Sequence, residues 1–170
     1  EGATMANKAS FTPEEWKQLL ESPMLASMAV TAAEPSGLWG MLKESFAAGG
    51  ALAKAKTDAS TNQLIKAVVT DFESAEGRGA ARDGLQARLK GSKPAEVKDK
   101  AIAGLRQVTA LLDAKAPGDA AAFKSWLQSI GRHVADAAKE GGFLGFGGVQ
   151  VSEAEKATLA EISTALNLKA

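Results

Sequence analysis

Cysteine is absent from the 170 residues. That excludes thiol nucleophiles, disulfides and zinc–thiolate sites together. The chain has no need of such staples, since a domain of this length buries roughly 70% of its unfolded surface. Tyrosine is absent as well, and aromatic residues reach only 5%. Histidine occurs once, at His133, so no His-rich metal site can form. Charge of either sign is not in excess: 20 Lys and Arg face 20 Asp and Glu, for a formal net charge of zero. A dedicated nucleic-acid binder would carry a basic surplus and an acidic tail a deficit, so nucleic acid is not an expected partner. No apolar run approaches the ~20 residues of a transmembrane helix. No charged start followed by an apolar run marks a signal peptide, and the expected compartment is the cytoplasm.

What is present is an ordinary globular mixture, 45% hydrophobic and 24% charged, with apolar residues at helical spacing. Residues 1–10 are expected to be a disordered or tag-derived N-terminus, since Glu1 to Thr4 precede Met5. Residues 11–170 are expected to form a single helical domain. Thr12, Pro13 and Glu15 make a capping box with proline in the first turn, and Phe11 and Trp16 stand at the positions of a hydrophobic staple. This helix is expected to stop near Glu21. Ser22-Pro23 repeats the cap-then-proline signal and predicts a second helix carrying Met24, Leu25 and Met28, which Pro35 ends. A third helix carries Leu38, Met41, Leu42 and Phe46.

A fourth follows Ser60 or Thr61, with Leu64, Ile65, Val68, Val69 and Phe72 inside. Residues 77–93 give the weakest signal, because Gly77, Gly79, Gly84 and Gly91 dilute helix propensity; Leu85 and Leu89 suggest one short helix. Pro94 opens a long helix to about Lys115, with Val97, Ala101, Leu105, Val108 and Leu112 as its stripe. Asp119 is the expected N-cap of the next, which buries Phe123, Trp126, Leu127, Ile130, Val134 and Ala137 and ends at Gly141-Gly142. Ser152 and Glu155 form a second capping box before a last helix with Ala154, Leu159, Ile162 and Leu166. Alternating strand patterns are nearly missing. The expected fold is all-α, a compact bundle of seven to eight helices.

Two segments share an order of events: Val30 to Gly37 with Glu44 beyond, and Val134 to Gly142 with Glu155 beyond. Each runs helix, small residues, acid, glycine turn, helix with an acid. The spacings are unequal, so this is a weak pseudo-repeat. The run Ala138-Lys-Glu-Gly-Gly, then Val151-Ser-Glu-Ala-Glu, Leu159-Ala-Glu-Ile and Ala165-Leu resembles the pattern of TerB-like tellurite-resistance proteins. It covers the last third of the chain and, more loosely, residues 28–48. The whole chain is also similar to uncharacterised bacterial helical proteins sharing the Gly-Gly-Phe-Leu-Gly-Phe-Gly-Gly turn at 141–148. The TerB-like turn usually reads Ala-Asp-Gly, where this chain has Lys139-Glu140-Gly141 and Glu34-Pro35-Ser36. The resemblance implies an all-helical bundle with a stress-associated, non-enzymatic role.

Four features are candidates for function. The acids near the two turns, Glu34 and Glu140 foremost with Glu44, Glu153 and Glu155 about them, are the candidate ligands of a divalent cation, which needs several convergent oxygens; the competing reading makes them solvated or capping carboxylates. Phe143, Leu144 and Phe146 stand between flexible glycines. They either fold back as a plug or form an apolar knob for a protein partner, self-association or a membrane surface. His133 is read as a partly buried packing residue, because no nucleophile motif accompanies it. Between residues 78 and 106, Arg78, Arg82, Arg88, Lys90, Lys93, Lys98, Lys100 and Arg106 outnumber Asp83, Glu96 and Asp99. This is either a basic patch or a solvated helix face; no aromatics interleave to stack on bases. No catalytic constellation and no phosphate-loop order emerges. The expectation is a non-enzymatic interaction or stress-response domain without a cofactor. The alternatives are a cation-binding bundle and a peripheral surface-binding protein.

Overall fold

The computed structural model describes residues 6–32, 62–140 and 153–168. Among them are six helices and no strand: α1 (Pro13–Thr31), α2 (Gln63–Glu73), α3 (Ala75–Leu89), α4 (Pro94–Lys115), α5 (Pro117–Glu140) and α6 (Glu153–Ala165). Among the described residues the all-α expectation holds, and they carry six of the expected seven to eight helices. The expected helix at 38–46 lies outside the described residues, and the two expected on either side of Ser22 are one.

That merger has a local cause. Pro23 has no N–H to give the Leu19 carbonyl, the usual reason for a helix to break. Here the Ser22 hydroxyl donates to that same carbonyl at 2.7 Å, so the orphaned acceptor is satisfied and α1 runs through. Its position also favours continuity, because α1 is the central helix and packs against each of the other five. Leu19, Leu20, Leu25, Ala26, Ala29 and Val30 are all essentially buried, and Trp16 with them. The start of α1 follows the sequence reading. The Thr12 Oγ1 accepts the Glu15 N–H at 3.2 Å, and the Thr12 N–H donates to Glu15 Oε1 at 2.8 Å. The Phe11 and Trp16 rings meet with centroids 5.9 Å apart.

The long stripes of α4 and α5 meet α1 in one core that includes Leu105, Val108, Leu112, Phe123, Leu127, Ile130 and Val134. Trp126 stacks edge-on against Phe123 at 5.3 Å. Ile162 and Leu166 bring α6 into the same core. The Thr109 hydroxyl reaches the Ala165 carbonyl at 2.9 Å and so ties the end of α6 to α4.

Three helix starts depart from expectation. Asn62, not Ser60 or Thr61, caps α2, its Oδ1 accepting the Leu64 N–H at 2.8 Å. Asp119 is no cap, since α5 already begins at Pro117. Its carboxylate is buried and accepts the Ala6 N–H at 3.1 Å and the Asn62 side-chain amide at 2.7 Å. It thereby joins three chain segments at one positive helix end. Those bonds also hold part of the segment expected to be disordered: Ala6 is buried, and Lys8–Ser10 form a 3-10 turn. Third, the weak region at 77–93 is mostly helix, from Ala75 to Leu89. Ser74 alone separates α2 from α3. Its hydroxyl donates to the Asp71 carbonyl at 2.6 Å and accepts the Gly77 N–H at 2.9 Å, closing one helix and opening the next.

Candidate functional site

The described residues sort the basic segment at 78–106 into two classes. Arg88 turns inward from α3. Its Nε and Nη2 donate to Glu21 Oε1 at 3.0 and 2.6 Å, and Glu21 is only 3% exposed. Lys98 pairs with Glu161 of α6 at 3.3 Å, and the Lys100 ammonium donates to the Ser92 hydroxyl. These three cations hold elements together. Arg78, Arg82, Lys90, Lys93 and, on α4, Arg106 are exposed, and none of them has an ion pair among the described residues.

Helix α3 sits at the edge of the bundle and packs chiefly on α1 and α2. Gly77, Ala81 and Leu85 are its buried residues. At 3.6 residues per turn, the outward side of the helix carries Ala75, Gly79 and Gln86 together with Glu76 and Asp83, while Arg78 and Arg82 fall nearer the packed side. Ala75, Gly79 and Gln86 form a ridge in which Ala75 and Gln86 are exposed, and a side chain added at Gly79 would meet nothing within 4 Å. Arg78 and Arg82 lie along one side of the ridge and Glu76 and Asp83 along the other, all four exposed. The face is therefore divided by charge, not uniformly basic. Sequence reasoning weighed Arg78, Arg82 and Asp83 within one segment, as a basic patch or a solvated helix face, and did not include Glu76. The separating signal, the helical phase of residues 75–89, was hidden by the glycines that made this region read as weak.

Other candidates resolve differently. His133 is exposed, not partly buried, because it points away from the Ile130–Val134 stripe; its Nδ1 lies 2.7 Å from the Ser129 carbonyl of its own helix. Glu34, Glu44, Phe143, Leu144 and Phe146 lie outside the described residues. Glu140 is the last residue of α5 and Glu153 and Glu155 open α6, but their side chains are not among those described. No group of three or more His, Asp or Glu able to hold a metal ion occurs among the described residues. No described helix is long and apolar enough to cross a membrane.

Two shallow grooves lie among the described residues. One, of about 530 Å³, is lined by Lys8, Trp16, Lys66 and Asp71. Its acid is already engaged by the Trp16 indole N–H at 2.6 Å and the Lys8 ammonium at 3.3 Å. The other, of about 400 Å³, runs between α4 and α6 past Asp99, Arg106 and Glu161. The Ser74 hydroxyl that lines the first is engaged by the Asp71 carbonyl and the Gly77 N–H, and the Thr164 hydroxyl that lines the second donates to the Ala160 carbonyl. No family model, curated protein or solved structure matches the chain.

Proposed function

We propose that this chain is a non-enzymatic helical interaction domain, of the stress-response kind that the TerB-like resemblance implies, and that α3 is the surface it presents. The observation that carries this reading is the fate of the cations. Arg88, Lys98 and Lys100 are used within the fold, whereas Arg78 and Arg82 stand exposed one helical turn apart on a peripheral helix. Like charges at that spacing are mildly unfavourable in an isolated helix, and they gain nothing from the bundle. A partner that supplies acids beside them turns that cost into a recognition contact.

A photo-crosslinking residue placed at Gln86, on the α3 ridge, tests the reading inside growing cells. The comparison is the same residue at Ala122, exposed on α5. Adducts of defined mass at position 86, absent at 122 and lost in an R78E/R82E background, are the expected result. An increase on tellurite exposure would support the stress association specifically. Equal and diffuse labelling at both positions overturns the interaction reading.

A further inference from the structure

Taking α3 as the interaction surface, we propose that its occupant is α3 of a second copy of this chain, packed parallel about a two-fold axis. The argument rests on the division of charge across the ridge. Arg78 and Arg82 line one edge, Glu76 and Asp83 the other, and Ala75, Gly79 and Gln86 lie between.

Two geometries can bring this face against itself with two-fold symmetry. An axis perpendicular to the helices makes them antiparallel and sets each edge against its own kind, arginine facing arginine. An axis parallel to the helices keeps them parallel and exchanges the edges. Every arginine edge then meets an acidic edge, at matching heights: Arg82 opposite Asp83 of the second copy, Arg78 opposite Glu76 of the second copy. The like-charged arrangement is penalised and the parallel one selected, which is how charge fixes orientation between helices. Approach is open along the ridge, because Gly79 has no side chain and nothing stands within 4 Å of where one would be. A uniformly anionic occupant, such as a phosphate backbone or an acidic membrane, would meet Glu76 and Asp83 as well as the arginines, and the face is poorly suited to it. One short helix offers a small contact, so the association is weak and reversible.

Sedimentation equilibrium from micromolar to millimolar protein reads the result. The wild-type chain is expected to show a monomer–dimer equilibrium that weakens as salt is raised. R78E/R82E makes all four edge positions acidic and E76R/D83R makes all four basic. Each alone is expected to lower the association constant by at least about tenfold, and an equimolar mixture to recover association as a heterodimer. These positions are exposed, and circular dichroism with a thermal melt verifies that each variant is folded. Gly79→Gln adds bulk where the monomer has room, so it keeps the fold and is expected to reduce dimer formation without changing charge. A chain that stays monomeric throughout, or variants that fail to recover in mixture, overturns the proposal. Crosslinks from position 86 to other proteins but never to a second copy would remove self-association and leave the interaction reading standing; no crosslinks at all would remove both.

Discussion

Three glycines of α3 meet three different surroundings, and their substitution separates packing from propensity. A Cβ at Gly77 would fall 1.8 Å from the Asp71 carbonyl oxygen, a backbone atom that the Ser74 corner holds in place. At Gly84 it would fall 2.3 Å from Glu21 Oε2. At Gly79 it would meet nothing. Gly79→Ala is therefore expected to stabilise the protein by about 0.4–1 kcal/mol, through the reduced freedom of the unfolded chain. Gly77→Ala, with the same gain in propensity, is expected to cost about 1–3 kcal/mol because the α2–α3 corner must open. Urea midpoints of the two variants check this pair. A stabilising Gly77→Ala would mean that the corner does not pass as close as described. The glycines that argued against a helix in the sequence are thus in part conditions of that helix packing where it does.

At the scale of elements, helix starts were legible wherever local chemistry decided them. Thr12-Pro13 and Pro94 open α1 and α4 as expected, and in α4 the Lys93 N–H donates to Glu96 Oε2 at 3.2 Å, one turn on. They were misread where tertiary contacts decided. Ser22-Pro23 carries the same local signal as Thr12-Pro13, yet Ser22 is buried beneath packed helices and its hydroxyl repairs the gap that proline makes. Asp119 carries a cap's chemistry and spends it on Ala6 and Asn62, more than fifty residues away, which no local pattern encodes. The candidate surface was half legible: Arg78, Arg82 and Asp83 were weighed, but Glu76 and the division of the charges needed the phase of a helix the glycines concealed.

One legible element also makes a contact the sequence does not show. Glu15 Oε1, already part of the first capping box, lies 2.5 Å from the Lys115 ammonium at the far end of α4. That hydrogen bond, followed by the one from the Thr12 backbone, holds the Glu15 carboxyl below its ordinary range. A carboxyl lowered in the folded state contributes stability above its unfolded pKa and loses it as pH falls through the folded one. Glu15→Gln is accordingly expected to melt earlier than wild type at neutral pH. The gap should close on acidification below the usual carboxylate range. Thermal melts across that window check it; a gap constant with pH would assign the loss to capping geometry alone.

At the scale of the whole molecule, the edge helix α3 is joined to the central helix α1 by an ion pair enclosed by three helices. Glu21 is buried and the Arg88 side chain is 18% exposed. Gly84 of α3 lies against the carboxylate. Gly104 of α4 lies against the guanidinium, where a Cβ would come within 3.1 Å of Arg88 Cζ and 2.6 Å of Leu25 Cδ1. Larger residues at either glycine would take the space the pair occupies, so four positions on three helices fit one another. Removing two charges from water costs several kcal/mol each, and their attraction roughly offsets it. The pair then contributes little net stability while making each member costly to lose singly. Arg88→Met is expected to destabilise by about 3–5 kcal/mol, because it strands the Glu21 carboxylate beneath α3. Glu21→Met/Arg88→Met is expected to recover most of that loss, since no unpaired charge remains. A double mutant as unstable as Arg88→Met alone would place the contribution in the packing of the arginine stem, not in the charge it neutralises. Far-UV circular dichroism through the same urea titrations separates these outcomes from a local detachment of α3, which would appear as an early partial loss of helix before the main transition.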